Sequence, residues 1–146
     1  GYAAGPADII KSMKKIQSQS TSNPASISQA AAAAALEGDQ ACVLKMRDAF
    51  KERHAFVVEE LAKIKGLRVI PSDGTFYSFP NCEDAIRELG MKDDLELADY
   101  LLDKAGVAIV PGTAFGAPGH FRLSFATSME NLEKAIQRFG DALGKV

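Results

Sequence analysis

The spacing of apolar residues predicts two helices near the start of the chain. Apolar side chains recur at intervals of three or four over residues 9–16, and the polar stretch 17–22 is expected to form a loop. A second helix is predicted from Pro24 to Glu37, because Asn23 can cap free backbone N–H groups and proline suits the first helical position. Both helices should therefore be short and separated by a polar connection.

Six consecutive alanines occupy residues 30–35 of the second helix. Alanine gives high helix propensity and little side-chain volume, so we expect this helix to pack very close to another backbone. A low-complexity segment without such a partner is the alternative.

A third and much longer helix is predicted over residues 39–65, with Asp39 as its cap and Gly66 as its end. Roughly 27 residues at a rise of 1.5 Å make it roughly 40 Å long. This length exceeds the diameter of a small domain and suggests a strut between two domains or across a dimer. A coiled coil is the alternative, but the pattern covers fewer than four heptads and contains His54 near its middle.

Beyond this helix the pattern becomes that of short strands. Residues 67–70 and 75–79 are predicted strands, and the Pro, Ser, Asp and Gly at 71–74 form a turn between them, which indicates a hairpin. A helix follows, capped near Asp93 or Asp94 and ended by Gly106. The next elements are a strand over 107–110, a glycine-rich loop over 111–119 and a strand over 121–125. A closing helix begins with Thr127 and Glu130 as its capping box. The order α-α-α-β-β-α-β-β-α favours an α/β domain of α+β type, a small and mainly antiparallel sheet packed by helices, over a doubly wound parallel fold.

Composition and charge exclude several classes of protein. The chain has 146 residues, of which 47% are hydrophobic and 25% charged, so it can form one real core and is too apolar for a disordered segment. Its formal net charge of -2 gives no electrostatic reason to expect nucleic acid or an anionic membrane as a partner. The longest apolar run, 30–36, is too short to span a membrane, and no signal peptide opens the chain.

Arg122 is the strongest candidate for ligand binding. In the strand 121–125 the three apolar side chains share one face, and Arg122 shares the other with Ser124. The loop 111–119 contains three glycines, which allow a backbone to approach a ligand closely, but its sequence matches no phosphate-binding motif. Because an arginine can hold a carboxylate in a planar, two-pronged grip, we expect Arg122 to bind a carboxylate. A solvated arginine on an open strand face is the alternative.

The other titratable groups define no catalytic or metal site. Cys42 and Cys82 show neither a CxxC motif nor a companion histidine spacing, so we expect no disulfide framework, no bound metal and a reducing, cytoplasmic setting. His54 and His120 have no acidic or cysteine partner at catalytic spacing and are expected to be structural or exposed. The remaining charged clusters are assigned to solvated helix faces (Lys11, Lys14 and Lys15; Glu59 and Glu60) and to a helix cap (Asp93 and Asp94).

Four sequence blocks occur in a characteristic order. They are Gly1–Pro6, Ser18–Pro24 ahead of the alanine-rich helix, Gly74–Tyr77 before Phe79, and Val110–Gly116 with Gly119–Ser124. Together they resemble the C-terminal part of fold-type I, class I pyridoxal-phosphate-dependent aminotransferases, most of all the bacterial aspartate aminotransferases. The resemblance covers the whole chain.

The resemblance implies a role for Arg122 and a division of the chain. In that family an arginine on the last strand grips the α-carboxylate of the amino-acid or 2-oxo-acid substrate, and it corresponds to Arg122. Residues 1–37 would be a remnant of the large domain and interdomain segment, and 38–146 the small domain, with 39–65 as the interdomain helix. The full-length protein would be a homodimer, with residues 20–23 near the subunit interface, and aspartate is the expected amino donor.

The resemblance also implies what this chain lacks. The family's Schiff-base lysine, the arginine for the cofactor phosphate and the aspartate on the pyridine nitrogen would all precede Gly1. We therefore expect pyridoxal 5'-phosphate as the cofactor of the full-length protein, no catalytic residue in this chain, no assigned cofactor-binding residue, and no activity of the isolated chain. The alternative is a non-catalytic, free-standing small α/β domain for binding or dimerisation, which the coding sequence upstream of Gly1 would distinguish.

Overall fold

The computed structural model describes residues 2–144, and the chain divides between Cys42 and Val43 into two compact units. The helices of the first unit are α1 (Ala7–Ser20) and α2 (Ser26–Glu37). Neither helix has a buried residue. Their exposed large apolar side chains are Ile9, Met13, Ile16, Ile27 and Leu36. The close packing predicted for the alanine-rich helix is therefore not present within the first unit.

Two boundaries in this unit differ from the prediction. The loop expected over 17–22 is wrong for its first residues, because α1 continues through Ser20, and the Ser18 hydroxyl donates to the Lys15 carbonyl at 2.8 Å inside the helix. The cap expected at Asn23 is also wrong. Helix α2 begins two residues after Pro24, with no side chain capping it, because the segment ahead of it stays extended.

Residues 7–37 of the isolated chain should exchange their backbone amide hydrogens with solvent far faster than the last helices of the second unit. A short helix without a buried face is only marginally stable in water. Hydrogen exchange followed by mass spectrometry measures this directly, with the helix over residues 94–105 as the protected reference. Strong protection of residues 7–37 in a demonstrated monomer would contradict the expectation.

The second unit combines helices with a small antiparallel sheet, which confirms the predicted fold class. Its elements are α3 (Ala41–Ala62), which begins just before the unit, β1 (Tyr77–Ser78), α4 (Glu83–Glu88), α5 (Asp94–Ala105), β2 (Val110–Pro111), β3 (Phe121–Ser124) and α6 (Met129–Leu143). The three strands lie in the order β1-β3-β2, and both pairings are antiparallel. The core side chains come from α3, α4, α5, α6, the central strand and the segments that connect them, with Phe121, Phe125 and Phe139 the largest of those fully buried.

Helix α3 is shorter than the predicted span 39–65, at 22 residues and about 33 Å. Its predicted cap is confirmed, because a carboxylate oxygen of Asp39 accepts a hydrogen bond from the Ala41 N–H at 3.0 Å. The chain turns back at Gly66, where φ is +81° and a Cβ would overlap the backbone of Ala85. Glycine is thus required at the predicted stop, although the regular helix ends a turn earlier.

The hairpin predicted from residues 67–70 and 75–79 is wrong. Arg68 forms a single antiparallel bridge with Asn81, through backbone hydrogen bonds of 3.0 and 2.9 Å. Strand β1 pairs instead with β3. Because β3 supplies the large buried side chains, it occupies the centre of the sheet, and β1 and β2 flank it.

The first turn of α6 is capped one residue later than predicted. The Ser128 hydroxyl accepts the Asn131 N–H at 3.3 Å, whereas the Thr127 hydroxyl accepts the side-chain amide of Asn131 at 3.1 Å. Glu130 does not reach back to close a capping box, because its carboxylate pairs with Lys134 at 2.6 Å.

Helix α5 begins and ends as predicted, with Asp93 at its N-cap and Gly106 in the left-handed conformation after it. Helix α4 was not predicted, since its six residues are too few to show a helical period. The strand expected over 107–110 is reduced to β2, and the glycine-rich loop begins with a short 3-10 turn over Gly112–Phe115. No helix within residues 2–144 is both long and apolar enough to cross a membrane.

Candidate functional site

Arg122 lies in the middle of β3, the central strand of the sheet. Its neighbours Phe121 and Leu123 are buried in the core, whereas Arg122 is half-buried and Ser124 exposed. The alternation predicted from the sequence is confirmed, and the arginine side chain therefore leaves the sheet on the face opposite the core.

The guanidinium of Arg122 lies between two aromatic rings. Its Cζ is 4.4 Å from the ring centroid of Tyr77, on the neighbouring strand β1, and 4.8 Å from that of Phe115, in the glycine-rich loop. Both distances are typical of cation–π contacts, which hold the guanidinium without neutralising it. No ion pair among the described residues involves Arg122. Its charge and its hydrogen-bond donors are therefore available to an external anion.

The loop over residues 112–119 is closed by its own backbone. The Gly112 N–H donates to the His120 carbonyl at 2.7 Å, and the Gly112 carbonyl accepts the Ala117 N–H at 3.0 Å. A Cβ on Gly112 would overlap the carbonyl oxygen of Ala117, and one on Gly119, where φ is +73°, would overlap the Glu83 side chain. Gly112 thus allows the loop to close on itself, and Gly119 allows the loop to pack against Glu83 of α4. The close approach of a ligand to this backbone stays a prediction.

Asp94 is a functional candidate that the sequence analysis assigned only to a helix cap. It is the first residue of α5 and only 1% exposed, and its carboxylate accepts hydrogen bonds from the Thr113 N–H and hydroxyl, both at 2.8 Å, and from the Gly119 N–H at 3.2 Å. Burial acts to raise the pKa of Asp94, but these hydrogen bonds outweigh it, so the pKa lies below its ordinary value. Asp93 alone caps the helix, by accepting the N–H groups of Leu95 and Glu96.

A signal for Asp94 was present in the sequence. Two consecutive aspartates stand at the start of α5, and only one of them can occupy the N-cap position. The second must have another partner if the helix buries it, because a buried carboxylate without hydrogen bonds is costly.

The two histidines have structural roles, as expected. His120 stacks on the ring of Phe79, with centroids 5.4 Å apart, and Phe79 in turn meets the ring of Phe115 at 6.0 Å. The Nε2 atom of His54 accepts the Ser72 N–H at 3.2 Å, which fixes the loop after α3. Among the described residues, neither imidazole forms a hydrogen bond with a carboxylate or a thiol.

The remaining predicted groups are not brought to this site. Lys11, Lys14 and Lys15 are exposed on α1, and Glu59 and Glu60 both pair with Lys63 on the surface of α3. The cysteines are free, and burial raises the pKa of the Cys82 thiol to about 12. No group of side chains within residues 2–144 is arranged to hold a metal ion.

Comparisons with known proteins place the chain in a family. Residues 1–139 match the family described as aminotransferase class I and II. The chain is 49% identical to the aspartate/prephenate aminotransferase of Nitrosomonas europaea, over 98% of this chain and 38% of the relative. It is 48% identical to the aspartate aminotransferase of Geobacillus stearothermophilus, over 94% of this chain and 35% of the relative.

A solved structure agrees with the sequence matches. The crystal structure of the aspartate aminotransferase from Rhizobium meliloti superposes with a TM-score of 0.87 and 40% identity, over 99% of this chain and 38% of that one. The chain thus spans little more than a third of the length of the relatives it matches.

Proposed function

The chain belongs to the family of class I and II aminotransferases, and on that basis we propose that it is the substrate-carboxylate-binding part of a pyridoxal-phosphate-dependent enzyme. The reaction would move an amino group between an amino acid, with aspartate as the first candidate, and a 2-oxo acid. The observation that supports this most is the guanidinium of Arg122, which contacts two aromatic rings and forms no ion pair with a carboxylate within residues 2–144.

The proposed role of Arg122 is to bind and orient. A planar guanidinium can donate two parallel hydrogen bonds to the α-carboxylate of the substrate. Strand β3 fixes the arginine backbone, and the rings of Tyr77 and Phe115 restrict the guanidinium plane. Such a grip would set the direction of the substrate Cα–H bond, and correct orientation contributes a large share of catalysis in enzymes generally.

The residues next to Arg122 fit a substrate carboxylate and do not by themselves form a cofactor pocket. The strands β1 and β2 and the loop 112–119 contain no lysine to hold a cofactor aldehyde. Pyridoxal phosphate, when bound, supplies the electron sink for amino transfer. We propose that other residues of the full-length protein hold it, in accordance with the family pattern, and we assign no cofactor-binding residue to this chain.

We also propose the domain division and assembly that the family pattern implies. Residues 1–37 would belong to the large domain and interdomain segment, residues 38–146 to the small domain, and the full-length protein would be a cytoplasmic homodimer. The exposed apolar side chains of α1 and α2 support this assignment, because a helix with an apolar stripe normally packs against another element. A free-standing binding or dimerisation domain is the competing function, and the family membership does not favour it.

The full-length protein should transfer the amino group of aspartate to 2-oxoglutarate in the presence of pyridoxal phosphate. A coupled assay of oxaloacetate formation measures this. If the purified full-length protein binds the cofactor but transfers no amino group from aspartate or from other amino acids, the proposed reaction is wrong. If aspartate is inert and another amino acid reacts, only the choice of substrate is wrong.

The isolated chain should form no specific covalent adduct with pyridoxal phosphate. Incubation with the cofactor, borohydride reduction and peptide mapping should give only weak labelling spread over several exposed lysines. The full-length protein is the control, since it should be labelled at one lysine outside residues 1–146. Stoichiometric labelling of a single lysine of the isolated chain would contradict the proposal.

A further inference from the structure

We propose that Asp94 is a positioning residue for Arg122, which acts by fixing the loop over residues 112–119 and, through it, the ring of Phe115. This inference rests on the proposed role of Arg122 in carboxylate binding. Nothing in the sequence pattern of α5 requires a second aspartate at its start, since Asp93 already caps the helix.

The carboxylate of Asp94 holds both ends of the loop. One oxygen accepts the Thr113 N–H at 2.8 Å, and the other accepts the Thr113 hydroxyl at 2.8 Å and the Gly119 N–H at 3.2 Å. Thr113 lies near the start of the loop and Gly119 at its end, so a single buried group joins the two ends of the loop. The Gly119 carbonyl is held from the other side by the Cys82 N–H at 2.8 Å.

The loop in turn determines where Phe115 lies. Phe115 is in the same 3-10 turn as Thr113, and the residue is 49% exposed, so core packing does not fix its ring. Its ring contacts are the guanidinium of Arg122 at 4.8 Å and the edge of Phe79 at 6.0 Å. If the turn moves, one of the two rings that hold the guanidinium moves with it.

The same hydrogen bonds stabilise the charged form of the Asp94 carboxylate. Both carboxylate oxygens are occupied by donors from the loop, and hydrogen bonds to a carboxylate favour its charged form. Asp94 therefore supports the arginine site without supplying a carboxylate that competes with the substrate.

The test is a double-mutant cycle in the full-length protein, with succinate as the carboxylate probe and calorimetry as the measurement. Asp94→Asn replaces one acceptor oxygen by a donor that faces a loop N–H, and it should raise the Kd for succinate about tenfold. In an Arg122→Lys background the same change should raise Kd by less than about twofold, because an effect transmitted through Arg122 is not additive with its loss.

The matched control is Asp103→Asn, since Asp103 is an exposed aspartate on the same helix. This variant should change Kd by less than about twofold.

Three results would overturn the inference. The first is a lower melting temperature for Asp94→Asn with an unchanged Kd, which indicates a purely structural role. The second is an equal rise in Kd in both backgrounds, which indicates an effect that bypasses Arg122. If Arg122→Lys itself leaves Kd unchanged, the proposed function fails along with the inference, whereas an effect of Arg122→Lys alone leaves the proposed function intact.

Two milder substitutions, both at Thr113, test the inference if the Asp94→Asn variant does not fold. Thr113 is exposed, so Thr113→Val removes only the hydroxyl donor to Asp94 and should raise Kd about threefold. Thr113→Ser keeps that donor and should restore the parent Kd. Equal Kd values for the valine and serine variants would overturn the inference.

Discussion

Replacing Arg122 by lysine in the full-length protein should weaken the binding of dicarboxylates and monocarboxylates alike by roughly 1.5 to 3 kcal/mol, the usual scale of a charge-assisted hydrogen bond. Lysine keeps the positive charge but loses the planar fork that donates two parallel hydrogen bonds. It also stacks less well than a guanidinium between the rings of Tyr77 and Phe115. The value of kcat/KM for aspartate should therefore fall by a factor of about 10 to 150.

The stability of the same variant separates a binding role from a structural one. Arg122 lies on the face of β3 opposite the core, so its replacement opens no cavity and the melting temperature should change little. Arg47→Lys is a suitable control, since Arg47 is exposed on α3 and pairs only with its neighbour Asp48 among the described residues. An unchanged kcat/KM for Arg122→Lys would mean that Arg122 is merely solvated. A large fall in the melting temperature would mean that Arg122 is a structural ion-pair partner in the full-length protein.

The predictable parts of the fold are those whose causes are local. Helix α5 begins and ends where Asp93 and Gly106 place it, because a cap and a left-handed glycine act within a few residues. The exposed face of β3 follows from the alternation of apolar residues, so Arg122 could be found from the sequence. The proposal that it binds a carboxylate needed the family resemblance as well, since many arginines on open strand faces are merely solvated.

The parts that could not be predicted depend on distant partners. The sheet order β1-β3-β2 is decided by which strand supplies the most buried surface, and the tight turn at 71–74 suggested a local hairpin instead. The role of Asp94 depends on Thr113 and Gly119, which are 19 and 25 residues away in sequence. The second aspartate signals that a partner is needed, but spacing along a helix does not say which residues supply it.

The glycine-rich loop shows how one pattern can have two explanations. Glycines before Arg122 suggested room for a ligand near the backbone, but in the structure Gly112 lets the loop fold onto itself and Gly119 lets it pack against Glu83. The loop contacts Arg122 through the ring of Phe115, and the N–H groups of Gly112 and Gly119 are already hydrogen-bonded within the protein. We expect carboxylate binding at Arg122 to require the closed conformation of the loop, and a substitution at Gly112 tests this.

Replacing Gly112 by alanine should destabilise the second unit by about 1–3 kcal/mol, the usual cost of an added methyl group that cannot be accommodated. The new Cβ would overlap the Ala117 and His120 carbonyl oxygens, which are backbone atoms and cannot rotate away. Because the overlap can be relieved only if the loop opens and Phe115 shifts, affinity for succinate in the full-length protein should fall about tenfold as well.

Gly74→Ala is the matched control, since a Cβ there has no neighbour within 4 Å and φ is not positive. This variant should change stability by less than about 0.5 kcal/mol. Chemical denaturation and calorimetry measure both effects, and equal results for the two alanine variants would show that closure of the loop does not govern the arginine site.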